Sequence, residues 1–293
     1  MYAIDSLYEA AAKRGPLCVG LDTAPEYIPP QILSALENDA AAILAYNKAL
    51  IEATVDVCAC YKVQIACYEA LGLAGMAAYA QTLAAIKRAG GLAIADIKRG
   101  DIAATAARYA QAHFSGDFEA DFVTLSPYMG MDSIEPWLTL AEERGKGAFV
   151  LAVTSNSGRN DFECLEIAGG GRLYTKVADK LAACARTHRG AHGYGIFGMV
   201  TGCTGDEAGW LRDTYKELFF LIPGFGAQGG GAEEASRLLT PDGNGGVVNA
   251  SRSLLKAWQS GRAQEPSLFE AAGAARAAVI NARDEIAAAC KKI

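Results

Sequence analysis

The sequence predicts an α/β fold, a (β/α)8 TIM barrel over residues 1–293 as a single domain, with a C-terminal helical extension. Three observations carry this. Eight short apolar runs can be counted, they are continuous rather than alternating in polarity, and alanine-rich stretches of helical period lie between them. A strand buried on both faces reads as an unbroken apolar run, which belongs to a parallel sheet covered by helices. Eight strand-then-helix units in about 250 residues match a closed barrel. An open doubly wound sheet is the alternative that pattern alone leaves standing.

The expected strands are 17–21, 57–63, 92–97, 122–125, 148–153, 195–200, 218–222 and 246–249. Stretches 43–54, 74–89 and 102–113 repeat apolar residues at three- and four-residue spacing, as amphipathic helices do. The glycine-rich pieces 169–171, 229–231 and 242–246 are too short to separate domains. Residues 268–293 read as an alanine-rich helix that covers the barrel or meets a second subunit.

Composition narrows the function. The net charge is -6 and no Lys/Arg-rich run occurs, which argues against a nucleic-acid partner. An anionic metabolite would have to be gripped by a few local donors. None of the eight cysteines forms a CxxC pair and only three histidines are present, so no metal site is expected. The thiols read as reduced core residues of a cytoplasmic protein. The N-terminus lacks the apolar segment of a signal peptide. No apolar stretch reaches the ~18 residues a span needs, so no membrane partner is expected.

In a barrel, chemistry gathers at the C-terminal ends of the strands. The third run ends in Asp96-Ile97-Lys98-Arg99-Gly100-Asp101. Asp96 and Lys98 alternate along the strand, so both point to one face. Asp101 stands at the head of the next helix, in an N-cap position. The second run ends near Lys62 and the first is followed by Asp22. Taken singly, each has a bland reading as a member of a structural ion-pair network, with Asp101 a plain helix cap. Together they suit decarboxylation without cofactor or metal. A lysine kept charged between carboxylates can donate a proton to a carbanion. A fixed aspartate disfavours a neighbouring substrate carboxylate more than the CO2 it becomes.

The seventh run leads into Pro223-Gly-Phe-Gly-Ala-Gln228-Gly-Gly-Gly231 and the eighth into Asn249-Ala-Ser251-Arg252. Loops after these strands are the usual phosphate site of the fold. Arg252 offers a planar fork for phosphate oxygens, and Gln228 an amide on a loop able to close. After the fifth run, Thr154-Ser155-Asn156-Ser157 could read the edge of a heterocycle, although a polar turn explains it nearly as well.

The run Asp96-Ile-Lys98-Arg-Gly-Asp101-Ile102, with Thr105 one turn on, resembles the DxKxxDIxxT signature of orotidine 5'-phosphate decarboxylases. Val19-Gly-Leu-Asp22, Tyr46-Asn-Lys, Tyr61-Lys62, Leu125-Ser-Pro-Tyr128, Thr154-Ser-Asn156 and Pro223-Gly-Phe-Gly-Ala-Gln228-Gly extend the likeness over nearly the whole chain, closest to the longer bacterial subgroup. The resemblance implies a homodimer with shared active sites that converts the nucleotide orotidine 5'-monophosphate to UMP and CO2. It implies that Lys98 protonates C6, Asp96 flanks the departing carboxylate, and Asp101 and Thr105 reach the partner's site. Asp22 and Lys62 would hold the ribose, Ser155 the pyrimidine, and Gln228 with Arg252 the phosphate. Two positions depart from the pattern: Ser251 where glycine is common before the phosphate arginine, and Ser157 where proline is common. DxKxxD alone is shared with sugar-phosphate decarboxylases and hexulose-phosphate synthases, which stand as the alternative, with a non-enzymatic phosphate binder behind them.

Overall fold

A computed structural model describes residues 1–202, 207–226, 231–260 and 265–292. Its core is a closed barrel of eight strands in chain order. They are β1 (Leu17–Gly20), β2 (Cys60–Gln64), β3 (Ala93–Arg99), β4 (Phe122–Leu125), β5 (Gly147–Val153), β6 (Phe197–Thr201), β7 (Phe220–Ile222) and β8 (Gly246–Ala250). Each pairs in parallel with the next, and β8 closes on β1 through Leu17↔Val248 and Cys18↔Asn249. The residues of β1, β4, β6, β7 and β8 are all buried, one face toward the interior and the other under helices. This is why the runs read as unbroken, and the pairing of β8 with β1 excludes the open sheet.

The run at 57–63 begins pairing only at Cys60. Val57 still donates its N–H to Thr54 O, so the chain is leaving the preceding helix there and pairing starts at Cys18↔Cys60. That helix, Asp39–Thr54, is capped by Asn38, whose side chain accepts from Ala41 N at 3.0 Å. Further helices Gly72–Arg88, Ala103–His113, Glu135–Arg144 and Leu173–Ala185 cover the barrel.

Helix Leu268–Cys290 opens with a capping box between Ser267 and Glu270. Ala271, Ala275, Val279, Ala282 and Ile286 are buried at three- and four-residue spacing, and it packs on helix Asp39–Thr54. An N-terminal helix, Ala3–Arg14, was not anticipated. It lies across the N-terminal ends of the strands: Ala3 N donates to Gly145 O just before β5, and Asn244 Nδ2 donates to Tyr8 O just before β8. The C-terminal ends of the strands are left uncovered by this helix.

His113 makes a testable feature of the helical layer. Its ring is buried near Phe118 and Trp137, and its Nδ1 has no hydrogen-bond partner. Burial, helped by Arg99, lowers its pKa from 6.5 to about 4. The unfolded chain therefore binds a proton that the folded chain refuses as pH falls from 6.5 to 4, and stability falls with it. The expected loss is on the order of 3 kcal/mol across that window. Urea unfolding midpoints between pH 4.5 and 7 should flatten in His113→Phe relative to wild type. Parallel curves for the two proteins would disprove this assignment.

Candidate active site

The ends of β1, β2 and β3 bring their charges together. Lys62 Nζ lies 3.0 Å from Asp22 Oδ1 and 2.8 Å from Asp96 Oδ2, and Lys98 Nζ lies 2.5 Å from Asp96 Oδ1. Gln64 Nε2 also donates to Asp96 Oδ2 at 3.0 Å, and the Thr124 hydroxyl to Asp96 Oδ1 at 2.9 Å. Each carboxylate oxygen of Asp96 thus accepts two hydrogen bonds. Burial alone would raise the Asp96 pKa, but the Lys62 and Lys98 ammoniums hold it well below the usual carboxylate range. Burial likewise works against the charge on Lys62, and Asp22 and Asp96 outweigh it to push its pKa above that of an ordinary lysine.

Exposure separates the members of the array. The Lys62 and Asp96 side chains are 7% and 6% exposed, Asp22 31% and Lys98 46%. The buried pair sets the field, and Lys98 is the cation that reaches the opening. Its backbone is unusual: with φ 45°, Lys98 is the one non-glycine residue among those described in the left-handed region. For an L-residue that conformation costs roughly 1–2 kcal/mol.

The array forms one wall of a cavity of about 300 Å3. Ser155 lines it from the end of β5, Pro223 and Phe225 from the end of β7, and Ser251 and Arg252 from the end of β8. A pocket of about 180 Å3 shares Lys62, Asp96, Lys98 and Ser155 with it and adds apolar walls from Leu151, Val200 and Leu221. A third hollow of about 420 Å3 lies beside Tyr128, Phe162 and Val177, but Glu163 is the sole charged group among its described walls. The titratable chemistry belongs to the first two.

The structure therefore assembles Asp22, Lys62, Asp96, Lys98, Ser155 and Arg252 around one space. Asp101 and Thr105 are not among the described residues lining it. Asp101 is half-buried on the rim, and its Oδ1 accepts the N–H of Ile102 at 2.8 Å. This corrects the expectation of a capping role. The N-cap of helix Ala103–His113 is Ile102, with no side-chain cap, because the Asp101 carboxylate binds an N–H ahead of the first turn. Gln228 lies outside the described residues.

Residues 15–265 match the family described as Orotidine 5'-phosphate decarboxylase / HUMPS family. This chain belongs to that family. A relative named orotidine 5'-phosphate decarboxylase, from Clostridium perfringens, is 50% identical over 289 residues, 98% of this chain and 99% of the relative. Leishmania donovani OMP decarboxylase superposes with a TM-score of 0.74 at 33% identity, covering 97% of this chain and 99% of that one. Leishmania donovani UMP synthase gives 0.79 at 35% identity; the match covers 99% of this chain and 57% of that longer protein.

Within the orotidine 5'-phosphate decarboxylase pattern, the departure at Ser251 has a structural partner. Its hydroxyl donates to Asp22 Oδ2 at 2.8 Å and accepts from Asn249 Nδ2 at 3.2 Å. The space exists because residue 20 is glycine; a Cβ there would lie 1.9 Å from Ser251 Oγ. The chain carrying Arg252 is thereby tied to Asp22 and, through it, to Lys62. Ser157 opens a 3-10 turn, Ser157–Asp161, so the turn forms without proline. Sequence reasoning missed Gln64, Thr124 and Glu163. The Glu163 carboxylate accepts the Thr154 N–H at 2.7 Å and its hydroxyl at 2.9 Å, which fixes the start of the Thr154-Ser155-Asn156 loop. Gln64 was findable, two residues beyond Lys62 on the same strand face. Thr124 and Glu163 carried no local signal.

Proposed function

We propose that this chain converts orotidine 5'-monophosphate to UMP and CO2 in pyrimidine biosynthesis, with no cofactor. The observation that carries the reading is Asp96, buried and ionised between two lysines at the wall of a cavity that also offers Arg252. Phosphate is held by Arg252, the ribose by Asp22 and Lys62, and the pyrimidine by Ser155. The substrate carboxylate is then placed against Asp96. Two carboxylates about 4 Å apart repel by roughly 4 kcal/mol at the effective dielectric of such a site. Release of neutral CO2 relieves this, which is worth about a thousandfold in rate. The C6–carboxylate bond breaks, its electron pair stays on C6, and Lys98 delivers a proton there; water later reprotonates Lys98. The apolar pocket of Leu151, Val200 and Leu221 suits the departing CO2.

The reading includes a homodimer in which Asp101 and Thr105 serve the partner's cavity. Ile102, Tyr128 and Met129, on loops leaving adjacent strands, are 58%, 82% and 47% exposed, an apolar surface that a second copy would cover. The seven described cysteines are all free, which agrees with the reducing cytoplasm. Among the described residues no helix is long and apolar enough to cross a membrane.

The test is spectrophotometric consumption of orotidine 5'-monophosphate in chelator-treated buffer. Turnover is the expected result. No turnover, with metal-dependent activity on a 3-keto sugar phosphate, would establish the sugar-phosphate alternative instead. In the same assay Arg252→Ala should raise KM about tenfold to a hundredfold, since charge-assisted hydrogen bonds worth roughly 1.5–3 kcal/mol are lost. An unchanged KM would remove Arg252 from the phosphate site.

A further inference from the structure

Between β3 and β4 the register slips where the charges lie. Ala95 pairs with Val123 and Arg99 with Leu125, so Asp96, Ile97 and Lys98 together face the single residue Thr124. A bulge of this kind re-aims side chains and takes backbone groups out of the ladder. The N–H groups of Ile97 and Lys98 both turn to Thr124 Oγ1, each at 3.0 Å. The hydroxyl proton goes to Asp96 Oδ1 at 2.9 Å, the oxygen that also holds Lys98 Nζ. The hydroxyl of Thr124, a residue 1% exposed, therefore uses both lone pairs and its proton on the bulge.

Resting on the decarboxylase reading, we infer that Thr124 is a positioning residue that sets the distance and direction between the Asp96 carboxylate and the Lys98 ammonium. The proton donor must move between Asp96 and the reacting carbon without its backbone relaxing. Lys98 sits in a left-handed conformation that an L-residue leaves unless held. Thr124 holds the backbone N–H of Lys98 on one side and the carboxylate that receives its side chain on the other. Valine has the same shape and strand preference but offers neither acceptor nor donor, whereas serine keeps both.

The experiment compares wild type, Thr124→Val and Thr124→Ser. In Thr124→Val, kcat should fall about a hundredfold, the scale expected when a reacting group is misplaced by an ångström. KM and the Kd for UMP should stay within about threefold, because the phosphate and ribose contacts are untouched. Thr124→Ser should recover kcat to within about fivefold of wild type. Amide exchange at Ile97 and Lys98 reads the same hydroxyl without reference to turnover, and should quicken at least about tenfold in Thr124→Val and return in Thr124→Ser. If Thr124→Val does not fold, Thr124→Cys, a weak donor and acceptor, takes its place in every comparison. A kcat within threefold of wild type, losses of kcat and UMP binding in equal proportion, or no recovery in Thr124→Ser would overturn the inference. Unchanged exchange would overturn it even in a chain inactive on orotidine 5'-monophosphate, whereas that inactivity alone overturns the functional reading.

Discussion

Lys98→Ala should lower kcat for orotidine 5'-monophosphate by at least about a thousandfold, while the Kd for UMP weakens by no more than about tenfold. Two losses combine in the first number. On the proposed reading the proton donor is gone, a contribution typically of 10²–10⁴-fold, and the other lysine of the array, Lys62, is buried between Asp22 and Asp96 and does not replace it. The Asp96 carboxylate also loses a partner at 2.5 Å and keeps Lys62, Gln64 and Thr124, so it stays ionised and the fold survives. On the proposed reading product binding depends on the far rim, which the substitution leaves intact. Steady-state kinetics and calorimetry with UMP measure both quantities. A variant retaining a tenth of wild-type turnover would show that Lys98 is not the proton donor.

Asp101→Ala and Lys98→Ala should each be nearly inactive as pure proteins and should recover activity when mixed. In a two-fold dimer whose sites each take Asp101 from the partner, a mixed dimer has one site missing both residues and one site complete. Random subunit exchange therefore restores about a quarter of wild-type activity. The geometry behind this is the position of Asp101 on the rim, hydrogen-bonded to Ile102 N and outside the walls of its own chain's cavity. Subunit exchange is verified with tagged chains. Full exchange without recovery would place Asp101 in a structural role within its own subunit.

The barrel was legible because burial on both faces leaves no choice of polarity along a strand. The eight runs announced themselves, but closing them into a barrel rather than an open sheet took the pairing of β8 with β1. Ends were less legible: the run at 57–63 opens with three apolar residues that precede strand β2. The N-terminal helix had a usable signal in Ile4, Leu7 and Ala11, which are buried at helical spacing. Within the site, Asp22, Lys62, Asp96 and Lys98 were readable because charge at the end of an apolar strand is costly unless it is used or paired.

Thr124, Glu163 and the hydroxyl of Ser251 were not readable. Threonine in an apolar strand, glutamate in a turn and serine after a strand are common residues in ordinary places. Their importance comes from what lies opposite: the bulge of β3, the N–H of Thr154, and a glycine at position 20.

The sequence by itself determined the number of strands, the parallel sheet and the identity of the charged groups, because burial period and the cost of unpaired charge act locally along the chain. The tertiary structure alone decided how far each charge reaches. A slipped register sets Lys98 on a left-handed backbone with its ammonium on Asp96, a missing Cβ lets Ser251 meet Asp22, and Asp101 stands outside the described walls of its own cavity. These are contacts between residues distant in sequence, set by the packing of one strand end against the next.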